Sequence, residues 1–413
     1  MSGYPCENRQ PSTLPSCSAC GNAGPGAIKW GVLNSRTTTT VSTGRRLASL
    51  TFVFTLVFTL FAAATTARAQ TRVVIVGLVH DHVNGFLAQL PKHTEVQLVG
   101  LSDPDASLRE KYATKYHLDP KIFFPSETAM IEATHPQAVL VYTSIAGHRA
   151  AIEEAVRHHI AAMVEKPLAT TLADALAIRK ISREQNVPVL VNYETTWYAS
   201  NKAAYDELEG GKLGPLRKLV VHDGHKGPAE IGVPPEFLKW LTDPQQNGAG
   251  ALFDFGCYGA DLATWLMHGE SPQTVTAVAQ TLKPEVYPHV DDEGTIILTY
   301  PHAQVIIQAS WNWPFDRKDM EVYGATGQLM TIKNDRVRER LKGQPAAGER
   351  EAPPLTAPQD DSMHYLTAVL NGTLKPQGDL TALDTNIVVM QILDAARTSA
   401  QTGRTIKLPA LPK

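Results

Sequence analysis

Along the first half of this chain, short runs of consecutive apolar residues alternate with stretches whose apolar residues recur every three or four positions. Val73 to Val76, Val96 to Leu101, Ala138 to Tyr142, Ala161 to Val164 and Val187 to Val191 are too short for buried helices. Gln97 apart, their near-continuous hydrophobicity is that of parallel strands covered on both faces. Between them, the segment from His148 carries Ile152, Ala155, Val156 and Ile160 at helical spacing, and Thr171-Leu172-Ala173-Asp174 has the form of a capping box. Strand and helix therefore alternate, which predicts an α/β domain built on a Rossmann-type parallel sheet. From about Leu216 the pattern changes. Leu219 to His222, Thr274 to Gln280, Gly294 to Tyr300, Gln304 to Trp311 and Met320 to Gly324 read as strands without intervening helices. They predict an α+β second domain with an open, mostly antiparallel sheet. Arg338 to Asp361, rich in Pro, Gly and charge, predicts an exposed excursion, and helices near Met363 to Leu370 and Ala382 to Ala400 close the chain.

A length of 413 residues with 43% hydrophobic content supports two domains, assigned to residues 71–192 and 193–413. Residues 1–70 read differently. They are rich in Ser, Thr, Gly and Pro up to Gly44, after which Arg45-Arg46 precedes an apolar stretch from Leu47 to Ala64 and a small-x-small site at Ala67-Arg68-Ala69. This is the form of an export signal, placing the mature protein in the periplasm or outside the cell; an uncleaved N-terminal anchor is the alternative. Cys6, Cys17 and Cys20 precede the signal, and Cys17-x-x-Cys20 has no second pair to complete a zinc site, so no metal is expected. Cys257 is then the single cysteine of the mature chain, which excludes an intrachain disulfide. A net charge of -3 without a basic block offers nucleic acid no electrostatic footing.

Candidate chemistry gathers where these strands end. Glu165-Lys166-Pro167 follows the fourth apolar run, at the carboxyl end of a strand, where open α/β sheets bind ligands. Thr143-Ser144-Ile145-Ala146-Gly147-His148 opens the helix before it. Glu-Lys-Pro in this setting resembles the glucose-fructose oxidoreductase, inositol dehydrogenase and rhizopine catabolism family (Gfo/Idh/MocA), over a stretch from about Arg72 to the C-terminus. The resemblance implies a nicotinamide cofactor, a sugar or polyol substrate, and a catalytic Lys166 beside the reacting carbon, with a cis bond before Pro167. It places Thr143, His148 and Glu165 near the cofactor.

The first turn, Gly77-Leu78-Val79-His80-Asp81-His82, departs from the family's Gly-x-Gly-x-x-Gly, since only the first glycine is present. Either the pyrophosphate is held differently, with His80 or His82 as donors beside Val79, or the cofactor is bound poorly. Asp103 ends the second strand 26 residues past Gly77, where an acid bonds the ribose hydroxyl and favours NAD over NADP. The plainer alternative is a polar turn and helix cap.

Gly248 to Asp261 carries the second constellation. A helix beginning at or just before Asp254 would align Asp254, Tyr258 and Asp261 along one face. The family pattern is Asp-x-Gly-x-His-x-x-Asp, and Tyr258 replaces its His, as in the branch holding glucose-fructose oxidoreductase and the dimeric dihydrodiol dehydrogenases. The resemblance makes Tyr258 the proton donor and Asp254 a positioning group, the alternatives being a core aromatic and an N-cap. Lys166 and an oxidised nicotinamide would lower the phenol pKa. Glu194, Trp197 and Tyr198, past the fifth strand, suit sugar recognition, or the two aromatics pack beneath the next helix. The expected protein is thus an exported NAD-dependent oxidoreductase of a sugar or polyol, possible as a homo-oligomer. An NAD-dependent glycoside hydrolase and a non-catalytic sugar-binding or sensor protein are the alternatives.

Overall fold

A computed structural model describes residues 70–412. The stretch expected to be an export signal, with Cys6, Cys17 and Cys20, lies outside the described residues. The first sheet has six parallel strands: β1 (Thr71–Val76), β2 (Val96–Ser102), β3 (Phe123–Phe124), β4 (Ala138–Val141), β5 (Ala161–Glu165) and β6 (Val189–Asn192). Their order is β3-β2-β1-β4-β5-β6, that of a doubly wound Rossmann sheet, whose direction of winding reverses between β1 and β4. The crossovers carry α1 (His82–Gln89), α2 (Ala106–Tyr116), α3 (Glu127–Thr134), α4 (His148–Arg157) and α5 (Leu172–Gln185). Every residue of β4 and β5 is buried, which explains why both read as unbroken apolar runs. Thr171 caps α5, its hydroxyl accepting from the Asp174 amide, as the capping box predicts.

After α6 (Ala199–Glu209) the chain enters the second sheet at β7 (Leu216–Gly224). Five short helices follow: α7 (Pro228–Ile231), α8 (Pro235–Leu241), α9 (Pro244–Asn247), α10 (Ala251–Asp254) and α11 (Gly256–Leu266). The sheet then continues through β8 (Thr274–Gln280), β9 (Glu293–Thr299), β10 (Gln304–Ser310), β11 (Arg317–Gly324) and β12 (Gly327–Ile332). β10 pairs with β7 in parallel and the other neighbours are antiparallel, so the centre of the sheet runs β12-β11-β7-β10-β9-β8.

The excursion expected over Arg338 to Asp361 is in part sheet. β13 (Arg336–Leu341) and β14 (Glu349–Glu351) extend the edge. Only Val337 of β13 is buried, while the flanking arginines pair with acids across the ladder, Arg338 with Glu349 at 2.7 Å. A strand held by cross-strand charge has no apolar alternation to announce it. Of the closing helices α12 (Ser362–Leu370) and α13 (Leu383–Thr402), α12 returns to the first sheet. Its Met363, Tyr365 and Leu366 share a hydrophobic cluster with Val73, Ile75 and Leu140. β15 (Ile406–Lys407) then pairs with β8. Among the described residues no helix is long and apolar enough to cross a membrane.

Candidate active site

β5 delivers Glu165 and Lys166 to the carboxyl end of the sheet, and the Lys166-Pro167 bond is cis. Lys166 is 5% exposed, and its Nζ donates to Asp254 Oδ1 at 2.6 Å and to the Asp254 carbonyl at 3.1 Å. The other carboxylate oxygen accepts from Trp311 Nε1 at 3.0 Å. Burial alone would discharge both groups, yet each offsets the other's desolvation. Lys166 is held above the ordinary lysine range and Asp254 below the ordinary carboxylate range. The start of α10 fixes Asp254. The Asp291 carboxylate accepts from the amides of Gly250 and Leu252 at 2.8 and 2.7 Å. A Cβ on Gly250 would lie 1.8 Å from the Asp291 carbonyl oxygen, so only glycine permits this approach.

The helix breaks at Phe255 and resumes as α11, bringing Tyr258 beneath the same cavity. The ammonium groups of Lys166 and Lys318 lie 4.9 and 4.7 Å from its ring centroid, within cation-π range. Among the described residues no hydrogen bond engages the Tyr258 hydroxyl. A cavity of about 200 Å³ is lined by Lys166, Asp254, Tyr258, His82, His225 and Lys318. A groove of about 410 Å³ shares His225, Phe255 and Lys318 with it and adds Glu194, Tyr198 and Arg317.

Lys318 reaches from β11 to the Glu194 carboxylate, which also accepts from the Tyr198 hydroxyl at 2.6 Å. Burial opposes ionisation of Glu194, but Lys318 more than offsets it, pulling the carboxyl down to about 2. NMR titration of Glu194 should return a value near that figure. In Lys318→Met it should rise, because desolvation is then opposed mainly by the Tyr198 hydroxyl; an unchanged value would remove Lys318 as the cause.

Several expected site residues turn out otherwise. Asp261 is fully buried, lines neither cavity nor groove, and its carboxyl oxygens have no partner among the described residues. The break at Phe255 resets the helical register, and α11 is buried on every side. Burial, and after it Glu194 and other acidic groups, push the Tyr258 phenol well above its usual value; the expected lowering by Lys166 does not hold. Trp197 donates from Nε1 to Asn192 at 3.0 Å and packs edge-on against Tyr365, so it supports β6 while Tyr198 alone of the pair lines the groove. His148 is fully buried, and its Nδ1 donates to the carbonyls of Pro167 and Leu168 at 3.1 and 3.3 Å. It braces the Glu-Lys-Pro backbone from beneath, and burial depresses its imidazole to about 4. Asp103 is 4% exposed, with its oxygens accepting from the amides of Leu78 and Asp105 at 2.8 Å each. It holds the first turn, while Asp105 caps α2.

Whether the turn suits a dinucleotide rests on its backbone. Gly77 has φ +85°, and a Cβ there would meet Thr143 at 2.7 Å, so the glycine allows close approach of two strand ends. The side chains of His80 and His82 are engaged with the surrounding protein. His80 is 1% exposed and packs on Phe237 and Trp240, and His82 Nδ1 bonds Glu165 at 2.8 Å. The amides of Val79 and Asp81, by contrast, make no hydrogen bond among the described residues, and both sit at the start of α1. Two backbone donors at a helix N-terminus at the switch point of a Rossmann sheet fit a pyrophosphate.

Lys318 was not singled out from sequence because the strand was read from Met320. Recognising that β11 begins at Arg317 would have placed it opposite Asp223 in the ladder.

Residues 71–193 match the oxidoreductase family with an NAD-binding Rossmann fold, and residues 202–330 match the Gfo/Idh/MocA C-terminal domain. The chain is 24% identical over 237 residues to dTDP-3,4-didehydro-2,6-dideoxy-alpha-D-glucose 3-reductase of Streptomyces antibioticus, covering 57% of this chain and 68% of that one. It is 28% identical over 241 residues to human trans-1,2-dihydrobenzene-1,2-diol dehydrogenase (55% and 64%). With D-apiose dehydrogenase of Paraburkholderia graminis it shares 23% over 333 residues (76% and 84%). The fold matches aldose-aldose oxidoreductase from Caulobacter crescentus with a TM-score of 0.70 at 23% identity, covering 82% of this chain and 100% of that one. An inositol dehydrogenase homolog from Azotobacter vinelandii, complexed with NAD+, gives 0.71 at 19% (83% and 98%). With both domains matched in order, and with Glu-Lys-Pro and Tyr258 converging on one cavity, this chain belongs to the Gfo/Idh/MocA family of NAD-binding oxidoreductases.

Proposed function

We propose that this protein is an exported oxidoreductase that transfers a hydride between NAD(H) and a CH-OH carbon of a sugar or polyol. The observation that carries this reading is the buried Lys166-Asp254 pair beside a phenol whose hydroxyl is unengaged, all lining one cavity. Relatives named for acting on dTDP-sugars and D-apiose support the substrate class. The arginine pair, apolar stretch and small-x-small site before residue 70 support export.

The nicotinamide, when bound, supplies or accepts the hydride. Lys166, kept charged by Asp254, donates from Nζ to the substrate oxygen and stabilises the negative charge that grows there during reduction. Tyr258 is protonated at rest and gives its hydroxyl proton to that oxygen. The ammonium groups of Lys166 and Lys318 near its ring are placed to offset the charge left on the phenol. Glu194 and Tyr198 face the groove, and with the Tyr198 proton given to Glu194 both present oxygen acceptors for the remaining hydroxyls. Free nicotinamide cofactor is scarce outside the cytoplasm, so an exported enzyme requires one bound before export and recycled in place by a second substrate.

Denaturing the purified protein and reading the supernatant by absorbance and mass spectrometry tests this directly. Near-stoichiometric NAD(H) is the expected result. Recovery of none, together with no thermal shift on adding NAD or NADP, would sink the hydride-transfer reading.

A further inference from the structure

We propose that His80, His82 and Glu165 form a binding site for one divalent transition-metal ion of the Zn²⁺, Mn²⁺ or Fe²⁺ kind. One ligand atom from each lies within 4.8 Å of those of the other two. His80 and His82 sit on the turn after β1, and Glu165 ends β5, so the sheet itself brings the three together. Two imidazoles and one carboxylate form a recurrent donor set for such ions and leave coordination positions open, whereas Mg²⁺ and Ca²⁺ prefer oxygen donors throughout.

Hydrogen bonding inside the cluster accounts for two of the donors and not the third. His82 Nδ1 and Glu165 Oε2 are 2.8 Å apart, a sufficient pair on their own. His80 is 1% exposed, yet its ring makes one hydrogen bond among the described residues, accepting at Nδ1 from the His82 amide at 3.2 Å. Its other ring nitrogen has no hydrogen-bond partner among the described residues, which leaves it available to a ligand.

The surroundings are built to hold the donors in place. Trp197 Nε1 donates to Asn192 Oδ1, and Asn192 Nδ2 donates to Glu165 Oε1, each at 3.0 Å, which leaves Oε2 directed toward His82. Such outer bonds orient metal-bound carboxylates and histidines. The His80 amide donates to the Tyr142 carbonyl at 3.1 Å, and Phe237 and Trp240 pack its ring. Bond lengths of about 2.0 to 2.2 Å put donor atoms roughly 3 to 3.5 Å apart, so an ion would open the 2.8 Å pair of His82 Nδ1 and Glu165 Oε2 slightly and draw the His80 nitrogen in toward them. His82 ligates through Nδ1 once its proton sits on Nε2, a change of tautomer with no change of charge. The neighbouring Lys166 ammonium is engaged by Asp254 at 2.6 Å, which limits its repulsion of a cation. His82 and Asp81 line the active-site cavity, so an ion here stands at its edge, on the turn that lacks its second and third glycines.

The purified full chain, stripped with EDTA and titrated with Zn²⁺ alone by calorimetry, tests the site without nucleotide, so the result is independent of the hydride-transfer reading. One equivalent bound at micromolar affinity or tighter is expected, weakened about 100-fold by His82→Ala and by Glu165→Gln. His93→Ala, in a separate and more exposed cluster with Glu95 and Asp361, should leave that equivalent unchanged. Titration of the unmodified chain with Co²⁺ should give visible d-d bands and so reports the ligands even where a substitution impairs folding. No binding and no Co²⁺ bands in the unmodified chain would overturn the proposal. So would binding that survives both substitutions or is lost with His93→Ala.

Discussion

Replacing Lys166 by Met is expected to abolish measurable turnover and to destabilise the fold, and a second substitution separates the two effects. In the proposed mechanism the ammonium is the charged donor to the substrate oxygen, and losing one such donor typically costs about 10² to 10³ in kcat. The same change strands the Asp254 carboxylate in a site where it is 7% exposed, with Trp311 its remaining side-chain donor. Breaking a buried ion pair by removing one partner costs about 3 to 5 kcal/mol. Lys166→Met combined with Asp254→Asn removes the uncompensated charge, so denaturant melts should recover most of the stability while activity stays lost. Recovery of activity in the double variant would show that Lys166 serves only to neutralise Asp254.

Tyr258→Phe should do the opposite: turnover falls about 10² to 10⁴ and the melting midpoint hardly moves. General acid catalysis by one positioned group is worth that factor. The hydroxyl makes no hydrogen bond among the described residues, and the ring's edge contact with Tyr193 at 5.6 Å survives the change. Because burial and the surrounding acids hold the phenol well above 10, it keeps its proton throughout the working range. Carbonyl reduction should therefore show no fall with rising pH attributable to Tyr258 below about pH 10, the unperturbed phenol value. Alcohol oxidation, which needs the proton removed, should strengthen across the same range. A reduction rate that declines with a midpoint near neutrality in wild type but not in Tyr258→Phe would place the phenol pKa far lower than burial allows.

The chain itself declares β1, β2, β4, β5 and β6, because each is a short, mostly apolar run that a two-faced parallel sheet must bury, and in β4 and β5 every residue is buried. Glu165-Lys166-Pro167 was legible for the same reason, since the end of β5 is marked by the end of its apolar run. The capping box at Thr171 and the strands β8 to β10 are equally local, depending on neighbours in sequence. The roles of Asp103, His148, Trp197 and Asp261 were not legible. Each is a polar or amphipathic group whose partner is a backbone amide, a carbonyl or a side chain brought near by folding, as Pro167 is to His148. Lys318 belongs to the same class, since it meets Glu194 across 124 positions of sequence.

Sequence alone therefore determined the two architectures, the family and the residues Lys166, Asp254 and Tyr258, because periodicity and a short motif are properties of adjacent positions. Tertiary structure decided which of the remaining polar residues face the cavity and which brace it. It also decided the protonation of Tyr258, because desolvation and the charges around a buried phenol come from chain segments far apart in sequence.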